Sequence, residues 1–129
     1  MILVDTSIWI AVFAKNGPLP LEEVLDFEEG TTCLPVVQEV LQGFRDESAY
    51  RTARDALLSL PIVESPLEES LFLEAANLYR AARRRGLTVR SSTDCLIAAC
   101  ALRHDLEVLH RDRDYRQLSA VSPLKARTA

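Results

Sequence analysis

The amino-acid sequence predicts an α/β domain built on a parallel central sheet. Two observations carry that prediction. Short runs of strand length recur along the chain: Ile2-Leu3-Val4, Thr31 to Leu34, Ile62-Val63 and Glu107 to His110. Longer stretches with helical spacing of apolar residues separate them, and alternation of strand and helix is the pattern of parallel sheets. A third observation bounds the size. The chain has 129 residues, 48% of them apolar and 26% charged, the size and mix of a single globular domain. The turn signals Asn16-Gly17-Pro18, Glu29-Gly30, Pro35, Pro61, Pro66 and Gly86 are short, which suits tight connections inside one domain spanning residues 1–129.

Taken in order, Ile2-Leu3-Val4 reads as a buried strand, because it is short, apolar and β-branched. Asp5-Thr6-Ser7 can cap the helix that follows, whose apolar positions are Ile8, Trp9, Val12 and Phe13. A short helix is expected over Leu21 to Glu28, and a strand over Thr31 to Leu34. Pro35 fits the first turn of a helix running from Val36 to Phe44. Ser48 to Leu60 reads as helix, and Ile62-Val63 as a brief strand. Pro66 opens a long helix, Leu67 to Arg85, with the stripe Leu71, Ala75, Leu78 and Ala82; Gly86 ends it. Thr93-Asp94 starts a helix through Leu102 that is apolar almost all round and so expected to be deeply buried. Glu107 to His110 is the last expected strand. A short helix near Tyr115 to Leu118 follows.

Composition excludes several classes. No stretch approaches the ~20 apolar residues of a membrane span. The apolar run Ile8 to Ala14 is preceded by Asp5 and by no Lys or Arg, and no small-residue cleavage site follows, so the expected location is cytoplasmic. Cys33, Cys95 and Cys100 are odd in number and form no CxxC pair, so they read as small buried hydrophobes in a reducing compartment. The formal net charge is −4, but it is unevenly spread. Residues 1–79 carry 14 acids and 4 bases, whereas residues 80–129 carry 5 acids and 11 bases. The bases are 13 Arg and 2 Lys in the whole chain, and the arginine fork suits phosphate. A basic C-terminal third permits a polyanionic partner.

Ligand and catalytic sites of parallel α/β sheets form at the carboxyl ends of the strands, and there this sequence places acids. Asp5 follows the first strand, Glu39 lies one turn into the helix after the second, Asp94 begins the buried helix, and Asp112 and Asp114 follow the last strand. Each has an ordinary structural reading. Asp5 and Asp94 can cap helices, Glu39 can border an amphipathic face, and Asp112 and Asp114 can pair with Arg111 and Arg113 in a surface turn. Thr93 is available as the cap, however, so an acid at the mouth of so apolar a helix is expected to be partly buried. Three or four carboxylates brought together repel one another, and a divalent cation removes the conflict. All-oxygen ligands point to a hard ion, Mg²⁺ or Mn²⁺; zinc is disfavoured because His104 and His110 are the only histidines and neither has zinc-like spacing with cysteine. Such a site fits phosphoryl chemistry.

At these residues the chain resembles a known family. Ile2-Leu3-Val4-Asp5-Thr6-Ser7 is similar to the opening strand and first acid of PIN-domain ribonucleases. Pro35-Val36-Val37-Gln38-Glu39-Val40-Leu41-Gln42-Gly43, Thr93-Asp94-Cys95-Leu96-Ile97-Ala98-Ala99 and Val108-Leu109-His110-Arg111-Asp112-Arg113-Asp114-Tyr115 resemble its second, third and fourth acidic segments. The match is nearly full length, and within the family it is closest to VapC-type toxins of VapBC toxin–antitoxin pairs. The resemblance implies a three-layer α/β/α fold with a parallel sheet of four to five short strands. It also implies Mg²⁺- or Mn²⁺-dependent endoribonuclease activity through an activated water. By position, Asp5, Glu39 and Asp94 would be catalytic and metal-binding acids; Asp112 and Asp114 both fit the fourth place, and Asp112 is favoured. Asp114 would then support them, and Thr6 and Ser7 would orient Asp5 or a metal-bound water. A homodimer and a neutralising VapB-type antitoxin are implied too. Arg83, Arg84, Arg85 and Arg90 are candidates for RNA contact, although arginines at a helix C-terminus also complement its dipole. Two other functions compete: an α/β phosphatase or phospho-acceptor using Asp5, and a catalytically silent binding module. The first lacks a second Asp two residues after Asp5, where Ser7 stands, and a well-placed Lys.

Overall fold

In the computed structural model of residues 1–129, β1 (Ile2–Val4) occupies the middle of a five-stranded sheet. Its neighbours are β2 (Gly30–Cys33) and β4 (Glu107–His110), with Leu3 in register with Thr31 and Val108. β3 (Ile62–Val63) pairs with β2 and β5 (Ala126–Thr128) with β4, giving the order β3-β2-β1-β4-β5 with every pairing parallel. The chain therefore builds outward from β1 on one side, then crosses to the other. The crevice between β1 and β4 is the switch point at which open parallel sheets bind their ligands.

Helices flank this sheet to give three layers, and two of them begin at an aspartate whose side chain accepts a first-turn amide. Helix α1 (Thr6–Val12) is capped by Asp5, which accepts the Ser7 amide. Helix α2 (Leu34–Leu41) carries Pro35 in its first turn, where no amide is needed. Helix α3 (Glu47–Leu58) is capped by Asp46, which accepts from Ala49 at 2.8 Å. Helix α4 (Glu69–Arg84) buries the predicted stripe Leu71, Ala75, Leu78 and Ala82. Gly86 takes a positive φ of 74° just beyond it, and the Leu87 amide returns to the Ala82 carbonyl at 3.0 Å, a reversal that glycine makes without strain. Helix α5 (Ser92–Arg103) buries Cys95, Ile97, Ala98, Ala99, Cys100 and Ala101. Its small residues let α4 pack closely across it, and each large side chain buried there, such as Leu71, contributes about 1.5–3 kcal/mol. Helix α6 (Asp114–Ser119) follows β4.

Three expectations are corrected. Leu21 to Glu28 does not form one helix; two single 3₁₀ turns, Leu21–Glu23 and Phe27–Glu29, replace it. Asp26 stands between them and accepts the Glu28 amide at 3.2 Å, a local bond that competes with continued helix. Strand β5 has no apolar run to announce it: Ala126-Arg127-Thr128 forms a strand through pairing with β4 at the sheet edge. Thr93 does not cap α5. The helix is capped at Ser91, whose own side chain makes no capping bond. Trp9 belongs to the core at 2% exposure, with Phe13 stacked on it at 5.9 Å. No helix is long and apolar enough to cross a membrane.

Candidate active site

Three segments meet at the C-terminal end of β1 and β4. Asp5 leaves β1, Asp94 sits in the first turn of α5, Asp112 lies in the turn joining β4 to α6, and Asp114 opens α6. One carboxylate oxygen from each of Asp94, Asp112 and Asp114 lies within 4.8 Å of the others. Asp94 and Asp114 are buried at 4% and 1% exposure, and Asp112 is half-buried. Charges of one sign are costly at such spacing in a dry environment.

The proteins' usual remedies are only partly applied. Asp114 accepts the Arg90 amide at 3.1 and 3.0 Å on its two oxygens and the Ser91 amide at 3.0 Å. It thereby supplies the cap that the start of α5 lacks. Asp112 accepts the Asp114 amide at 2.9 Å, and its own amide donates to Nδ1 of His110 at 3.2 Å. Burial lowers the pKa of His110, keeping that ring neutral and able to accept. Asp5 is buried with both oxygens occupied. Oδ1 takes the Tyr115 hydroxyl at 2.5 Å, and Oδ2 takes the Ser7 hydroxyl and amide at 2.5 and 3.0 Å. The Ser7 hydroxyl in turn accepts the Arg111 amide at 2.9 Å, which ties β1 to the turn after β4.

Asp94 is the exception. Its Oδ1 faces the Tyr115 hydroxyl at 3.4 Å, and its buried Oδ2 has no partner at all. Burial first, then the charge of Asp5, pushes the Asp94 carboxyl up to about 9. A cation-free site therefore holds a proton at neutral pH. The Tyr115 phenol is pushed well above its ordinary range by its own burial and by Asp5, so it remains a donor. An unpaired buried carboxylate oxygen beside two further carboxylates is a donor set suited to a hard divalent cation.

This geometry agrees with the family comparison, in which the PIN domain model matches residues 2–121. The chain belongs to the PIN-domain family. It is 39% identical over 132 aligned positions to Ribonuclease VapC11 of Mycobacterium tuberculosis, covering 98% of this chain and 97% of the relative. The identity and coverage are the same for VapC ribonuclease Mb1587 of Mycobacterium bovis. Among solved structures, VapBC-5 of Mycobacterium tuberculosis, a member of the VapBC family of toxin–antitoxin systems, superposes with a TM-score of 0.75. That match has 19% identity and covers 99% of this chain and 98% of the other. The likeness shows the shared PIN fold, three layers around a parallel sheet.

Within this PIN domain the acids expected from sequence fall into two tiers. Asp94 and Asp112 stand in the tight group together with Asp114, which sequence reading set in a supporting role. Asp5 adjoins the group through Tyr115. Glu39 stands apart from it and accepts the Thr6 hydroxyl at 2.6 Å. Of Thr6 and Ser7, only Ser7 bonds to Asp5, while Thr6 donates to Glu39. Arg111 and Arg113 make no ion pair with Asp112 or Asp114. Arg85 reaches the Ala120 carbonyl at 2.6 Å, and Arg83 lies over the Tyr79 ring at 5.7 Å. Arg84 and Arg90 are exposed. Sequence reading missed Arg113 and Arg116, which with His110, Arg111, Asp112 and Thr128 line a cavity of about 230 Å³ beside the carboxylates. It also gave no role to Tyr115, which entered as the end of the fourth acidic segment and as part of a short helix.

Proposed function

We propose that this PIN domain is a divalent-metal-dependent endoribonuclease of the VapC type. The observation that carries the reading is Asp94: buried, with one oxygen unpaired, and within 4.8 Å of Asp112 and Asp114 at the switch point of the sheet. The relatives named as ribonucleases, 39% identical over nearly the whole chain, support RNA as the substrate. In this reading Asp94 and Asp112 hold Mg²⁺ or Mn²⁺ directly, with Asp5 and Glu39 completing the acidic pocket and Asp114 keeping the mouth of α5 in place. The ion, when bound, supplies Lewis acidity toward the phosphodiester and the attacking water. Glu39 is half-buried, with one oxygen engaged by Thr6, and its other oxygen is available to accept a proton from that water. Asp5 is held on both oxygens and 1% exposed, which disfavours it as a phospho-acceptor nucleophile.

The VapBC neighbours support a VapB-type antitoxin as protein partner, which would cover the pocket; a homodimer is the proposed working unit. Mapping new 5′ ends in total RNA tests the activity, using protein incubated with Mg²⁺, with Mn²⁺ or with chelator, beside Asp94→Asn. Discrete cuts that require metal and vanish in the variant are expected. Cuts that persist in the variant, or in chelator, would refute the assigned site.

A further inference from the structure

Tyr115 is a fully buried phenol at the centre of a carboxylate site. Its ring leans on His110, with centroids 5.0 Å apart, and packs as a phenylalanine would. The hydroxyl does something a phenylalanine cannot. It lies between acids from two other elements, 2.5 Å from Asp5 Oδ1 and 3.4 Å from Asp94 Oδ1. It is the only hydrogen-bond donor that Asp94 has, since Oδ2 is unpaired. A buried hydroxyl without such partners would be a net loss to the core, so its value lies in what it holds. One phenolic proton serves Asp5 closely and Asp94 at longer range. Both contacts fall on Oδ1, which leaves Asp94 Oδ2 buried without a protein partner in a carboxyl group that also neighbours Asp112 and Asp114.

We propose that Tyr115 is a positioning residue of the cation site: its hydroxyl pins Asp5 and Asp94 through their Oδ1 atoms, so that Asp94 Oδ2 is presented to a divalent cation. The inference rests on the reading of the acidic pocket as a metal site. Groups that orient a metal's ligands through hydrogen bonds are worth about 10–100-fold in metal affinity or activity. Tyr115 ties three segments at once: the end of β1, the first turn of α5 and the first turn of α6. The carboxylates are thereby ordered before an ion arrives.

The test is Mn²⁺ binding to RNA-free protein, read from the electron paramagnetic resonance of free Mn²⁺, for wild type, Tyr115→Phe and Asp94→Asn. Tyr115→Phe is expected to weaken Mn²⁺ binding by about 10-fold or more. It should leave the KM for RNA unchanged, and saturating Mn²⁺ should restore its cleavage rate. A folded Tyr115→Phe protein that binds Mn²⁺ as wild type does would overturn the positioning role while leaving the metal site intact. Wild type that binds no Mn²⁺ would overturn both. Should the phenylalanine variant not fold, 3-fluorotyrosine at position 115 gives a second reading. Its ¹⁹F resonance is expected to shift as Mg²⁺ saturates the protein, and a resonance unmoved at saturation would refute the contact.

Discussion

Asp94 sets the pH response of the cation-free protein. Its carboxyl is raised from 3.8 to about 9, first by burial and then by Asp5. Between those values the folded chain keeps a proton that the unfolded chain releases. The native state then binds more protons, so stability falls as pH rises from about 4 to about 9. The slope is at most about 1.4 kcal/mol per pH unit, a few degrees in melting temperature for a domain of this size. Thermal denaturation in chelator is therefore expected to give a lower melting temperature at pH 8 than at pH 6. Asp94→Asn, which never ionises, should flatten that dependence and melt higher than wild type at pH 8. Saturating Mg²⁺ should flatten it as well, because the cation favours the ionised carboxylate. A wild-type melting temperature in chelator that rises from pH 6 to pH 8 would contradict the assignment.

Asp112 and Asp114 are two residues apart, yet they serve different elements. Asp114 closes the start of α5 by accepting the Arg90 and Ser91 amides, and it does so from the first turn of α6. Losing a charged acceptor for two backbone amides costs about 1–3 kcal/mol. Asp114→Ala should therefore lower the unfolding free energy by that amount, read as a lower urea midpoint with an unchanged slope. Asp112→Asn keeps an acceptor for the Asp114 amide and is expected to shift stability by less than about 0.5 kcal/mol while abolishing metal-dependent cleavage. Equal losses of stability in the two variants would refute this division of labour. The same pair shows where sequence stops being informative. Helices α4 and α5 were legible because their burial follows a local apolar pattern, and β1, β2 and β4 because they are short apolar or β-branched runs. The order of acids along the chain was legible too. The cap of α5 was not, since it comes from 23 residues downstream of Ser91 in sequence, at Asp114. Strand β5 was not, since pairing with β4 and not its own composition makes it a strand. The role of Tyr115 was not legible either, because only the folded chain brings Asp5 and Asp94 to its hydroxyl.

Across the whole molecule, charge is sorted by position in the fold. The basic residues of the last third do not act as one patch. Arg103 is taken by Glu64 and Glu74 at 3.3 and 3.1 Å, Arg127 by Glu107 at 3.0 Å, and Lys125 by Asp105 at 3.5 Å. Arg113 and Arg116 have no carboxylate partner within ion-pairing distance, and both are exposed in the cavity that also holds Asp112. An acidic centre repels a polyanion, so free guanidinium groups at its rim are what can draw RNA to it. Each phosphate neutralised on a single strand contributes about 0.7 to the slope of log affinity against log salt. Two contacts should therefore account for about 1.4 of that slope. Binding of a fluorescent single-stranded RNA in chelator, measured across a salt series, should show that loss in Arg113→Ala/Arg116→Ala. The corresponding variant at Arg51 and Arg54, which already pair with Glu47 and Asp55, should leave the slope unchanged. An unaltered slope in the Arg113/Arg116 variant would mean that RNA approaches the carboxylates from another side of the domain.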